Sequence, residues 1–184
     1  MDILILGSTL LTELVVENIK KEHNLVGYVP SSRPTVKGKV RLPEASIDTE
    51  CDIKLSIQYD KIVKETSDSF NLHTGLLPEY GGTNILDHAI KNGAKQQGLT
   101  FHQMTDRIDY GPIISKITYP IFEGDSAFDL FERVLKIGPD FTAASLKLLE
   151  KIGLKNVGMC EKHEPTIYKR GLFKADERIL NYAR

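Results

Sequence analysis

Apolar positions along this chain follow two spacings in turn, and their alternation predicts strands and helices wound into one layered domain. Residues 3–6 are a continuous apolar run followed by Gly-Ser-Thr, the pattern of a buried parallel strand. Leu11, Leu14, Val15 and Ile19 then share one helical face, with Ser8 or Thr9 placed to cap it. Residues 25–29 form the next strand and stop at Pro30, while 31–49 are polar and read as a loop with a short strand near 39–42. A strand at 53–57, a short helix beginning at 59–63 and a strand at 70–73 follow. Next come a helix over 84–91 ended by Gly93, and strands at 99–105 and 113–121, the last an edge or hairpin partner. Ser126 and Asp129 make a capping box for a helix carrying Phe128, Phe131, Val134 and Leu135. Gly138-Pro139 should break that helix, and Phe141, Ala144, Leu148, Leu149 and Ile152 line another. Both stripes are read as core-facing.

The expected fold class is therefore α/β, with a Rossmann-like, mostly parallel sheet and helices on both faces. Residues 1–155 form the domain, and 156–184 an extension packed on it. The first turn, Gly7-Ser8-Thr9-Leu10-Leu11-Thr12, lacks Gly-x-Gly-x-x-Gly, which argues against a nucleotide cofactor there. Its hydroxyls either hold a substrate phosphate at the helix start or only cap the helix.

Composition narrows the function classes. With 184 residues, 41% hydrophobic and 27% charged, the chain can bury one full core. Lys and Arg total 24 against 25 Asp and Glu, a net charge of −1, so no strong field draws nucleic acid or a membrane surface. Cys51 and Cys160 stand far apart without a Cys-x-x-Cys motif, which suits a reducing compartment. The start of the chain has no basic leader region, and no apolar run nears the ~20 residues that span a bilayer. A cytoplasmic protein without nucleic-acid or membrane partners is expected.

Candidate chemistry concentrates in residues 70–114. Asn71 and His73 lie two apart on a strand and so leave the same face. A loop with Pro78 and Gly81-Gly82 follows, and Asp109 sits in the tight loop Arg107-Ile108-Asp109-Tyr110-Gly111-Pro112 after a later strand. An amide, an imidazole and a carboxylate meeting at the mouths of these strands would suit acyl transfer to an amine. Such a reaction needs donors for a developing oxyanion and a route for the amine proton. No Ser or Cys stands at a nucleophile elbow, so direct attack by the amine is expected. An Asn-x-His pair alone is more often a satisfied hydrogen-bonding pair than a site. His102 lies on a strand of the candidate site and can face either layer. His23 at a helix end, His88 on a helix and His163 in a polar tail receive structural readings. His73, His102 and Asp109 have no compact ligand spacing, and no metal is expected.

Taken together, Asn71-Leu72-His73, Leu76-Leu77-Pro78-x-Tyr80-x-Gly82, Gly98-x-Thr100 and Ile108-Asp109-x-Gly111-Pro112-Ile113-Ile114 resemble the folate-dependent formyltransferase family, over roughly residues 51–149. The resemblance implies formyl transfer from 10-formyltetrahydrofolate to a primary amine, with Asn71, His73 and Asp109 catalytic. It also implies a pterin pocket lined by the backbone of 59–63, which includes Tyr59, Lys61, Ile62 and Val63. The loop holding Thr105, Asp106 and Ile108 would close over that pocket. Ile62 and Val63 otherwise read as core, and Asp106 as a loop-stabilising carboxylate. Two departures stand out: Thr74-Gly75 and Gly81-Gly82 differ from the usual family residues, and the first half is shortened, a helical connection being missing between Val29 and Cys51.

For the acceptor, methionyl-tRNA should need a further C-terminal domain and a basic surface. Gly7-Ser8-Thr9-Leu10 does not match the phosphate loop of the glycinamide ribonucleotide branch. The tail from Thr166-Ile167-Tyr168-Lys169-Arg170 through Asp176-Glu177-Arg178-Ile179 resembles the segment after the core in the transfer-RNA and amino-sugar branches. A small amine, that of an amino-sugar nucleotide, is the expected acceptor. Formate release, glycinamide ribonucleotide transfer and a non-catalytic folate- or nucleotide-binding module are the alternatives, and a homodimer remains open.

Overall fold

Strand alternation divides the central sheet into an oily face and a face that turns polar toward one side. The computed structural model describes residues 1–34, 36–64, 66–169, 177–180 and 182. Strands β1 (Asp2–Leu6), β2 (Asn24–Val29), β3 (Ile53–Ile57) and β4 (Ser69–His73) are joined through helix α1 (Leu10–Ile19) and irregular segments. A two-residue strand β5 (Gly81–Gly82) and helix α2 (Ile85–Lys91) lead to β6 (Gln96–Gln103) and β7 (Ile113–Pro120). Helix α3 (Ala127–Ile152), a 3₁₀ turn (Leu154–Met159), β8 (Ile167–Tyr168) and α4 (Glu177–Leu180) complete the described elements. The six-stranded sheet has the order β2-β1-β3-β4-β6-β7, and β5 pairs separately with β8. The β1–β2, β1–β3 and β3–β4 pairs are parallel, while β4–β6 and β6–β7 are antiparallel.

The expected α/β class and mostly parallel sheet are present, but the helices are distributed unevenly. Leu11, Val15, Ala89, Phe131, Val134 and Leu146 from α1, α2 and α3 join the cluster containing Ile3, Ile5, Leu55, Leu72 and Phe101. The opposite face carries Leu4, Leu6 and Val29 under Ala45, Ile47, Tyr59 and Val63, all from irregular segments rather than helices. Among the described residues, loops rather than helices pack against these side chains. The segment between β2 and β3 holds no helix among its described residues, which leaves this face to loops. The strand expected near 39–42 and the helix expected from 59–63 are also absent.

Helix α3 runs unbroken through Pro139, against the expected break. A proline inside a helix costs about 3 kcal/mol. Each fully buried Leu, Val or Phe returns about 1.5–3 kcal/mol, and α3 buries Leu130, Phe131, Val134, Leu135, Phe141, Leu146 and Leu149. Packing outweighs the local defect. Gly138 also lets α1 approach, because a Cβ there would lie 2.8 Å from Leu11 Cδ1.

His23 closes the far end of this core. Its ring is buried, with Nδ1 3.6 Å from Glu150 Oε1, and the Met1 amino group lies 3.8 Å from the same oxygen. Burial pushes the imidazole pKa below its ordinary value, against the pull of the Glu150 carboxylate. The folded state thus resists a proton that the unfolded chain accepts, so this contribution is complete above about pH 6.5 and declines below it. In His23→Gln, the urea midpoint should fall less between pH 7 and pH 5 than in the parent chain. An equal decline in both would remove His23 as a cause.

Candidate active site

The site forms over the polar part of the loop-covered face. Asn71 on β4 pairs across the strands with His102 on β6, and His73 with Thr100, so all four side chains share one face. Because β6 runs antiparallel to β4, its C-terminal end lies beside the start of β4. The two strands do not open at a common mouth, as had been expected. Instead, the chain leaving each strand folds back over the shared face. After β4 it is tied to β6 by Leu76 N–H to Gln97 Oε1 (2.7 Å) and Leu77 N–H to Thr100 Oγ1 (3.0 Å). The Thr100 hydroxyl in turn donates to Gly75 O at 2.8 Å, which gives the Thr of the Gly98-x-Thr100 motif a structural task.

After β6 the loop turns sharply enough to aim Asp109 inward. Asp109 has φ +59°, in the left-handed region. Two residues on, a Cβ at Gly111 would sit 1.6 Å from Gln103 O, so only glycine fits where the chain doubles back. Arg107 lies 3.5 Å from the Tyr110 ring centroid, and the Thr105 hydroxyl donates to Arg107 O at 2.9 Å.

These turns bring the expected trio together. Asp109 is 8% exposed, with Oδ2 3.7 Å from His73 Nδ1 and Oδ1 3.5 Å from His102 Nε2. Gly82 N–H donates to Asp109 Oδ2 at 2.7 Å. Burial alone would raise the pKa of this carboxyl; the charge of His73, the hydrogen bond and charge of His102, and the Gly82 N–H together hold it well below the usual carboxylate range. His73 Nε2 stands 2.6 Å from Tyr80 O, and a carbonyl only accepts, so Nε2 carries a proton. The Asp109 contact is longer than a hydrogen bond, which leaves Nδ1 as the ring atom open to a reacting group.

His102 belongs to this cluster, a role left open from sequence. Its Nδ1 lies 2.8 Å from Gln103 O and must donate, while Nε2 lies 3.2 Å from the Asn71 amide nitrogen and 3.5 Å from Asp109 Oδ1. The sequence signal was partial: a period of two puts Thr100 and His102 on one face of β6, and the register, with His102 opposite Asn71 and Thr100 opposite His73, makes it the face of Asn71 and His73. His163, read as part of a polar tail, donates Nε2–H to Asp109 O at 2.7 Å. Nothing local in the sequence announces that contact.

The expected cofactor residues separate into different surroundings. Val63 is buried with Leu4, Leu6 and Val29, so its side chain is core and only its backbone remains for a ligand. Tyr59 is half-buried, and burial pushes its hydroxyl pKa up. Lys61 Nζ lies 5.9 Å from the Tyr59 ring centroid. Asp60 accepts from the N–H groups of Ser32 (2.8 Å) and Arg33 (2.7 Å), tying the loops after β2 and β3 together. Ile62 is 91% exposed and Ile108 66%, two apolar side chains held in water on separate loops. Thr105 is half-buried and Asp106 exposed.

The turn after β1 proves to be a cap. Thr9 and Thr12 form a reciprocal capping box, and Ser8 Oγ accepts from Ser31 N–H at 3.1 Å. Leu10 N–H donates to Val36 O (2.8 Å) and Gly38 N–H to Ser8 O (2.9 Å), so the chain's own 36–39 segment covers the helix start. Among the described residues, no group of three or more His, Cys, Asp or Glu side chains could hold a metal ion. Nor is any helix there long and apolar enough to cross a membrane. Arg170 and Asp176 of the tail lie outside the described residues.

A mostly parallel α/β sheet with an amide, two imidazoles and a buried carboxylate over one face defines a site suited to group transfer through a tetrahedral carbon. Residues 57–145 match the family model described as formyl transferase, a stretch that contains the whole trio. Over that stretch the chain is similar to the formyl transferases. It is 27% identical over 166 residues to methionyl-tRNA formyltransferase of Bartonella henselae, covering 89% of this chain and 53% of that protein. It is 31% identical over 125 residues to the bifunctional polymyxin resistance protein ArnA of Wigglesworthia glossinidia brevipalpis, covering 65% of this chain and 19% of that one. The chain thus spans about half the length of the first relative and a fifth of the second. Two solved structures share the fold. The N-formyltransferase from Helicobacter canadensis, in complex with folinic acid and dTDP-3-aminofucose, has a TM-score of 0.76 at 22% identity, covering 91% of this chain and 70% of that one. Phosphoribosylglycinamide formyltransferase from Bacillus halodurans has a TM-score of 0.70 at 20% identity, covering 83% and 97%.

Proposed function

We propose that this chain transfers the formyl group of 10-formyltetrahydrofolate to a primary amine carried by an amino-sugar nucleotide. The observation that carries the reading is the Asp109 carboxylate lying between the His73 and His102 rings with the Asn71 amide beside them. The amine nitrogen attacks the formyl carbon, and the oxygen of the tetrahedral intermediate takes up negative charge. His73 Nδ1–H and the second N–H of the Asn71 amide are the donors for that oxygen, each worth about 10²–10³ in rate. Asp109 stabilises the imidazolium and receives the amine proton through water. That proton then goes to N10 of the folate as the carbon–nitrogen bond breaks, releasing tetrahydrofolate and the formamide.

The pterin would lie against the backbone of 59–63 and the loop carrying Thr105, Asp106 and Ile108. The exposed Ile62 and Ile108 support this assignment, since a flat apolar ligand would remove them from water. For the acceptor, the filled helix start at Thr9 speaks against a phosphate bound there. The amino-sugar nucleotide named with the Helicobacter structure supports the sugar reading.

The test is incubation of the purified chain with 10-formyltetrahydrofolate and a panel of dTDP- and UDP-amino sugars, with glycinamide ribonucleotide and an amine-free control alongside. We expect donor consumption that depends on an amino sugar, with one formamide formed per tetrahydrofolate. Formate release without amine would replace transfer by hydrolysis. Folate binding without turnover on any amine would leave a binding module.

A further inference from the structure

Residues 161–168 cross both loops that hold the candidate trio. At one end, Ile113 N–H donates to Glu161 O at 2.9 Å, fastening the segment to the first residue of β7. Next, His163 Nε2–H donates to Asp109 O at 2.7 Å. Further on, Thr166 N–H donates to Pro78 O (2.8 Å), Gly81 N–H to Thr166 O (2.9 Å) and Thr83 N–H to Tyr168 O (2.9 Å), as β8 pairs with β5. Tyr168 stacks on Tyr80 with ring centroids 5.6 Å apart, and its hydroxyl accepts from Asn92 Nδ2 at 3.0 Å. The approach is so close that a Cβ at Gly82 would lie 2.1 Å from Tyr168 O.

Two groups on this fastened loop hold the trio directly. The Tyr80 carbonyl accepts from His73 Nε2, and the Gly82 N–H donates to Asp109 Oδ2. Asp109 itself sits at positive φ, a conformation that a non-glycine residue keeps only where its surroundings over-determine it. His163 grips the carbonyl of that residue and Gly82 its carboxylate.

We propose that residues 161–168 act as a positioning strap, with His163 as its working side chain, holding the Asp109 carboxylate and the His73 ring at a fixed separation. The proposal rests on the formyl-transfer reading for what the site does, but not for how the site is held. A misplacement of about 1 Å at a reacting group can cost about 10²-fold in rate, so the strap would act on turnover rather than on ligand affinity.

The test compares His163→Leu, which loses the donor, with His163→Gln, which keeps an N–H. In His163→Leu we expect kcat to fall about 10–100-fold while KM for the formyl donor stays within about threefold. We also expect the Gly82 amide to exchange with solvent at least about tenfold faster, with the Leu55 and Leu72 amides of the sheet unchanged. His163→Gln should recover most of both effects. Wild-type kcat in His163→Leu, unchanged Gly82 exchange, or protection lost evenly through Leu55 and Leu72 would each overturn the strap. Were the parent chain to turn over no amine at all, the exchange result would decide alone, so failure of the strap and failure of the transfer reading are read separately.

Discussion

Replacing His73 by alanine is expected to lower turnover about 10²–10⁴-fold while leaving formyl-donor affinity within a few-fold. The ring occupies the centre of the site, with Nε2 fixed on the Tyr80 carbonyl and Nδ1 facing the carboxylate. Removing it takes away the proposed oxyanion donor and the ring that Asp109 faces. The pterin contacts proposed for 59–63 and 105–108 lie on other loops, so binding should survive. Steady-state rates set beside equilibrium titration of the folate would separate the two quantities. Unchanged turnover in His73→Ala would end the mechanism.

Asp109→Asn carries a comparable expected loss, about 10²–10⁴-fold in turnover, with a second signature in stability. The substitution keeps the shape but removes the charge shared by His73 and His102. In the parent chain the carboxyl pKa is depressed in the folded state. Its stabilisation is therefore fully present above the unfolded value of about 3.9, and is lost as pH falls below it. The stability gap between Asp109→Asn and the parent should be widest at neutral pH and narrow below about pH 4. Urea midpoints measured through that range would show it, and a gap independent of pH would mean that the carboxylate is not ionised in a favourable field.

Both predictions concern residues that stood out in the linear sequence, and the reason is chemical. Asn71 and His73 on β4 and Asp109 after β6 stand beside Gly- and Pro-bearing loops whose residue types are needed for backbone reasons, as Gly111 illustrates against Gln103 O. A pattern of that kind is visible without coordinates. His102 was half-legible, since period-two alternation gives its face only once the register of β6 on β4 is known, and a single sequence does not supply that register. His163 was not legible at all. Its bond to Asp109 O joins residues far apart in the chain, and no local pattern encodes such a meeting.

The same division runs through the fold. Local periodicity was enough for β1, α1, β3, β4 and the capped start of α3, because each is decided by neighbours within a turn or two of the chain. Residue order alone was also enough for the α/β class and for singling out three side chains that the structure brings together. Competition between distant parts settled the remainder. Helix α3 continues through Pro139 because its core contacts outweigh a local defect of about 3 kcal/mol. The start of α1 is a cap rather than an open anion site because residues 36–39 fold onto it. The carboxylate reaches the imidazoles where a left-handed turn, a glycine and a residue that follows α3 in the chain meet on the same few atoms. Contacts of that range depend on which surfaces are left over after the local elements have formed, and only the assembled tertiary structure can decide them.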